Sequence, residues 1–165
     1  MNTLTQPLRD EHKELIPHIE RIRAVADKIS DNPLDEIQVD VKEVYEFLAY
    51  HLIPHAQAED AALYPVVARA LGGPNATRTM IRDHVEVGRY IEELAVLEAD
   101  LSVEKLKSLQ RVLYGLYAIV KLHFAKEEEV YLPVLDESLS VEAAAQMFES
   151  MEAAAHQAKQ AVREV

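Results

Sequence analysis

The sequence predicts an all-α fold: an antiparallel up-and-down four-helix bundle with an additional C-terminal helix. Three observations carry that expectation. Apolar residues recur at helical spacing through four long segments. Leu, Ile, Val, Ala and Met are plentiful while Gly occurs only four times, a balance typical of packed helices. Strong stops, Asp31-Asn32-Pro33 and Gly72-Gly73-Pro74, punctuate the pattern. At 165 residues the chain suits one domain with a sizeable core and is short for two. A single domain over 1–165 is expected, with the bundle core at about 5–135 and the extra helix at about 140–165.

The first helix has Thr5 as N-cap and Pro7 in its first turn, and carries Leu8, Leu15, Ile19, Ile22, Val25, Ala26 and Ile29 until Asp31-Asn32-Pro33 ends it. His12 falls on the same stripe as Leu8, Leu15 and Ile19, so it points inward. The second helix runs from about Asp35 through Val41, Val44, Phe47, Leu48, His51, His55, Glu59 and Leu63 to Leu71, and its polar residues on the core side are the anomaly. Asn75 caps the third, which carries Met80, Ile81, His84, Val87, Ile91, Leu94 and Leu97 before fading at Asp100. The fourth starts near Ser102 and passes Leu106, Leu109, Leu113, Leu116, Val120, His123 and Glu127 toward Pro133. Short joints favour antiparallel neighbours. The fifth segment, Ser140 to Val165, holds Met147, Met151 and an alanine run and is expected to pack outside as a capping helix. Pro17, Pro54, Pro65 and Pro133 interrupt helical pattern, where each removes a backbone hydrogen bond and tends to kink the helix.

The formal charge of −12 argues against a nucleic-acid partner and against an anionic membrane surface. Arg78, Arg82 and Arg89 read as a solvated helix face. The absence of cysteine removes disulfides, thiolate zinc, iron–sulfur ligation and a cysteine nucleophile together, so any metal is held by His and carboxylate. The first ten residues have no apolar leader, and no stretch approaches the ~18 apolar residues of a membrane span, which makes the cytoplasm the expected location.

A histidine, carboxylate and proline spacing occurs twice: His55-x3-Glu59-x5-Pro65 and His123-x3-Glu127-x5-Pro133. Residues four apart on a helix share a face, so each His–Glu pair can grip one metal, a combination that suits iron, manganese or zinc. By chance about one of the seven histidines would have an acid at i+4. The surrounding match raises the specificity: a second acid follows each glutamate (Asp60, Glu128), and one Tyr and one Leu precede each proline. The isolated histidines repeat as well. Arg9-Asp10-Glu11-His12 reads against Arg82-Asp83-His84 with one residue dropped, and Ile19-Glu20 against Ile91-Glu92. A duplicated helical hairpin follows, one that brings His12, His55, His84 and His123 with Glu59 and Glu127 to one depth of the bundle. If the carboxylates bridge two metals, each has two imidazoles and two carboxylate oxygens, with positions left for a solvent bridge and an exogenous ligand.

These residues, His12, His55-x3-Glu59-Asp60 with Leu63-Tyr64-Pro65, His84, and His123-x3-Glu127-Glu128 with Pro133, resemble the hemerythrin-like, or HHE cation-binding, domain over roughly residues 5–135. The resemblance implies two iron ions in a non-haem centre bridged by the two glutamates, with an oxo or hydroxo bridge. It also implies family functions that include dioxygen binding, oxygen or iron sensing, and responses to nitric oxide or peroxide. Two positions depart from the oxygen-carrying members. Their further histidine one turn past the third-helix ligand is Gly88 here, and their aspartate five residues past the last histidine is matched by Glu127 at four and Glu128 at five. Both departures weigh against reversible oxygen carriage.

His51, one turn before His55, could supply a fifth imidazole, whereas His18 and His156 read as surface or packing residues. Asp60, Glu128 and Asp10 are the candidates to hold ligand imidazoles from behind. Among Tyr45, Tyr64, Tyr114, Tyr117 and Tyr131, any one near an open iron site could donate to a bound oxygen species. The expected function is a di-iron protein that binds or reacts with a small diatomic or peroxide ligand, with peroxide- or nitric-oxide-consuming activity as the enzymatic version. The alternatives are iron storage or sensing without turnover, a zinc site, and a metal-free structural bundle.

Overall fold

The computed structural model describes residues 3–163, and the fold is built from five helical rods with no strand among the described residues. We number them α1 (Gln6–Lys28), α2 (34–70), α3 (Arg78–Ala99), α4 (106–138) and α5 (Val141–Arg163). Val165, the expected end of the last helix, lies outside the described residues. α1 packs on α2, α2 on α3, α3 on α4 and α4 on α1, while α5 lies along the 53–63 part of α2.

Several helix ends differ from expectation. Thr5 does sit at the N-cap of α1, but its hydroxyl makes no cap bond. It reaches Asp136 instead, at 3.0 Å, and its backbone N–H donates to the same carboxylate at 2.8 Å, tying the start of α1 to the end of α4. Asn75 is not the cap of α3, which starts at Arg78 after Thr77; Asn75 accepts from the Arg78 guanidinium at 3.2 Å. α4 does not stop near Pro133 but continues to Ser138.

α2 and α4 are not regular helices. α2 comprises α-helical stretches Leu34–Phe47, Ile53–Ala58 and Tyr64–Ala70 joined by π turns Leu48–Leu52 and Glu59–Leu63, and α4 carries a third π turn, Glu127–Tyr131. Each π turn ends two residues before a proline, Pro54, Pro65 or Pro133. A proline has no N–H to give and its ring crowds the carbonyl four residues back. The preceding residue compensates by donating five residues back: Ile53 to Leu48, Tyr64 to Glu59, and Leu132 to Glu127. Pro17, on the exposed side of α1, induces no such turn.

The apolar interior is divided in two. One cluster holds Ile19, Leu52, Val87, Val120 and Phe124 with residues farther along each helix in the same direction, such as Ile22, Val44, Leu94 and Leu113. The other holds Leu8, Ala58, Leu63, Tyr64, Met80, Tyr131 and Leu132, and takes in Met147 and Met151 from α5. The division falls between Leu8 and Ile19 on α1, Leu52 and Ala58 on α2, Met80 and Val87 on α3, and Phe124 and Tyr131 on α4. A polar layer occupies that depth. Leu116 is wholly buried in the first cluster, away from this layer. Leu116→Ala is therefore expected to cost about 2–5 kcal/mol in chemical denaturation while leaving metal content unchanged.

Candidate metal centre

The polar layer consists of the four predicted histidines and two predicted glutamates. His12, Glu59 and Glu127 are wholly shielded from solvent, His55 and His123 nearly so, and His84 is only slightly open. Each histidine turns Nε2 inward. Glu59 directs Oε1 at His55 Nε2 (3.0 Å) and His12 Nε2 (3.8 Å), and Oε2 at His84 Nε2 (3.3 Å) and His123 Nε2 (3.9 Å). Glu127 divides its oxygens the same way, with Oε2 3.5 Å from His12 Nε2 and Oε1 3.5 Å from His123 Nε2. His12, His55, Glu59 and Glu127 offer donor atoms within 4.8 Å of one another, and Glu59, His84 and His123 form a second such group. Glu59 belongs to both.

Five atoms in this layer have no hydrogen-bond partner: His12 Nε2, His55 Nε2, both oxygens of Glu59, and Glu127 Oε2. His55 Nε2 lies within 3.0 Å of Glu59 without meeting hydrogen-bond geometry. Unpaired buried polar atoms are costly, at about 1–3 kcal/mol each and more for charged groups. Their convergence, and their identity as imidazole nitrogens and carboxylate oxygens, fits a cation between them.

Residues 3–135 match the sequence model of the hemerythrin HHE cation-binding domain. The chain belongs to that family. No curated protein and no solved structure matches it. α5 lies beyond the matched span, so this hemerythrin-like chain adds its own helix against the part of α2 that carries His55 and Glu59.

Every inward histidine of the hemerythrin-like site is held from behind at Nδ1 by a carboxylate. His12 donates to Glu128 at 2.7 Å, His84 to Asp60 at 2.9 Å and His123 to Asp83 at 3.2 Å, while His55 Nδ1 pairs with the Glu11 carboxylate at 3.2 Å. Such partners fix the ring and the tautomer that leaves Nε2 free for a metal. Asp60 and Glu128 stand where the sequence suggested, but Asp10 does not. It is exposed, accepting from Gln6 and Lys13. Glu11 and Asp83 were missed, although the duplication contains the signal: each is the acid immediately before the isolated histidine, and each serves the histidine of the next helix. Arg9 in turn binds Glu128 at 2.5 Å, and Lys126 binds Asp83.

His51 is outside both donor groups: it is an exposed residue of the π turn Leu48–Leu52 and stacks on Phe47. His18 stacks on the same Phe47 ring, with centroids 4.7 Å apart, and His156 is exposed on α5. Of the five tyrosines considered, Tyr64 is the one that reaches the site. Its hydroxyl donates to Glu127 Oε1 at 2.7 Å and lies 2.9 Å from His123 Nε2. The π turn is the reason. Five residues along a regular α-helix would carry Tyr64 roughly 140° away from Glu59, whereas the wider turn returns it to the same side.

Beside these residues is a cavity of about 20 Å³, walled by Leu52, Ala56, Val87, Val120 and Phe124 together with His55, Glu59, His84 and His123. That is room for about one water-sized molecule.

Burial would lower the His55 and His123 imidazoles, but the glutamates facing them prevail, holding His55 well above its ordinary value and His123 up at about 10. His84 is raised likewise, with Asp60 and Glu59 outweighing burial. Burial would raise Glu59, but the surrounding histidines hold it well below the usual carboxylate range. Imidazolium stabilisation is complete below the unfolded value near 6.5 and is lost as pH rises through about 10. The Glu59 contribution is complete above 4.5 and is lost as pH falls below that. The melting temperature of protein stripped of metal by chelation should thus fall between about pH 6.5 and 10. A rise across that window would show that the histidines are not charged against the glutamates.

Proposed function

We propose that the chain is a non-haem di-iron protein, an antiparallel up-and-down bundle that binds or reacts with dioxygen, peroxide or nitric oxide. The observation that carries this reading is the sharing of Glu59 and Glu127, each offering one oxygen to the His12/His55 side and the other toward the His84/His123 side. His12, His55, Glu59 Oε1 and Glu127 Oε2 would hold one iron, and His84, His123, Glu59 Oε2 and Glu127 Oε1 the other. When bound, the pair supplies Lewis acidity and electrons.

The protein's own residues do the rest. Leu52, Val87, Val120 and Phe124 give an apolar wall to a cavity sized for one small molecule. Glu11, Asp60, Asp83 and Glu128 keep the four rings in register. Burial and the nearby Glu59 and Glu127 push the Tyr64 phenol far up, so it keeps its proton and presents it beside the ligands. The position one turn past His84 is Gly88, which offers no further imidazole and weighs against reversible carriage.

Elemental analysis after aerobic purification is expected to find about two irons per chain with the absorption of an oxo-bridged ferric pair. His55→Ala and Glu127→Ala should lose most of that iron, while His51→Ala and His18→Ala retain it. Equal loss in His18→Ala, or a colourless protein holding zinc, would overturn the assignment. Tyr64→Phe is expected to keep its iron but to consume peroxide on the order of a hundredfold more slowly. An iron-loaded wild type that leaves peroxide and nitric oxide levels unchanged would be a passive binder.

A further inference from the structure

A hydrated metal ion must somehow reach a layer closed between two apolar clusters. Two surface grooves end on a ligand imidazole, and they differ in charge. The groove between α1 and α4, about 340 Å³, ends on His12 and is walled by Arg9, Lys13 and Lys121 against a single carboxylate, Glu128. Phe124 stacks on the His12 ring there, with centroids 4.4 Å apart. The groove between α5 and the α1–α2 pair, about 390 Å³, ends on His55 and is lined by Glu11, Glu152 and His156 against one ammonium, Lys159. His55 is almost wholly buried, and its Nε2 is one of the unpartnered atoms of the metal layer.

Glu11 is unlike the other three carboxylates that hold the rings. Its side chain is 50% exposed, against 36% for Asp60, 31% for Glu128 and 21% for Asp83. Glu128 and Asp83 are pinned by Arg9 and Lys126, whereas among the described residues neither Glu11 nor Asp60 has a Lys or Arg partner, and Glu11 is the more exposed of these two. It is therefore free to leave His55 for an arriving cation.

We propose that the groove beneath α5 is the route by which divalent metal reaches the site. Glu152 and His156 draw the hydrated ion to the mouth. Glu11 exchanges its contact with His55 Nδ1 for the ion, and the released ring turns to let the ion pass inward. The cavity near Phe124, with room for about one water-sized molecule, is too small for a hydrated dication and is left to the small oxidant. This assignment rests on the metal-binding reading of the layer, and it gives α5 a task that the bundle alone does not perform.

The test is stopped-flow binding of Co²⁺ to the full chain after chelation, read by cobalt absorption. Glu152→Lys is expected to slow association roughly fivefold at low salt, with the difference closing at high salt. Ala155→Trp, which fills the groove without changing charge, should slow it at every salt concentration, and both variants should reach wild-type cobalt content. Lys13→Glu, at the other groove, should load at the wild-type rate. Wild-type rates in Glu152→Lys and Ala155→Trp would overturn the route. So would a Lys13→Glu acceleration as large as the Glu152→Lys slowing, since the overall field would then be the cause. A wild-type chain that binds no cobalt would instead overturn the reading of the site itself.

Discussion

Two carboxylates placed where water cannot reach them are the constraint on which the rest of the molecule depends. Burying a carboxylate costs several kcal/mol unless opposite charge and hydrogen bonds surround it. Here the compensation comes from four imidazoles on four helices, each backed by another carboxylate nearer the surface. The apolar clusters on either side hold the helices at the spacing this arrangement needs, so the cores serve the polar layer as much as they serve stability.

The prolines contribute to the same end. Pro65 and Pro133 oblige the chain to widen its helical turn at Glu59 and Glu127, the two residues shared between the histidine pairs. The resulting change of phase brings Tyr64 to the interior on α2, while its counterpart on α4, Leu132, fills the core. The two halves are thus matched in their donors and differ in what stands above them. That difference places a phenolic hydroxyl beside Glu127 and His123 and a leucine in the corresponding position on α4.

Much of this was legible in the sequence because helical periodicity and the i, i+4 relation are local. His12, His55, Glu59, His84, His123 and Glu127 could each be assigned to an inward face, and the duplication indicated that those faces meet. What was not legible depends on distances across helices or on irregular turns. Glu11 and Asp83 looked like ordinary acids beside histidines because their partners lie on the next helix. His51 seemed to continue the face of His55, but the π turn Leu48–Leu52 breaks the regular phase on which that inference relied. Tyr64 was one of five candidates for the same reason in reverse. Thr5 was recognised as a helix start, yet its bond to Asp136 is a contact between distant parts of the chain that no local rule contains.

Each of the four bundle helices crosses the polar layer once, contributing a histidine at nearly the same level. An ion held there would fasten together segments far apart in a chain that has no cysteine with which to do so. Tying such long stretches restricts the disordered chain, as a covalent bridge would. The centre would then act as a removable rivet, and the availability of metal in the surroundings would decide how long the folded molecule lasts.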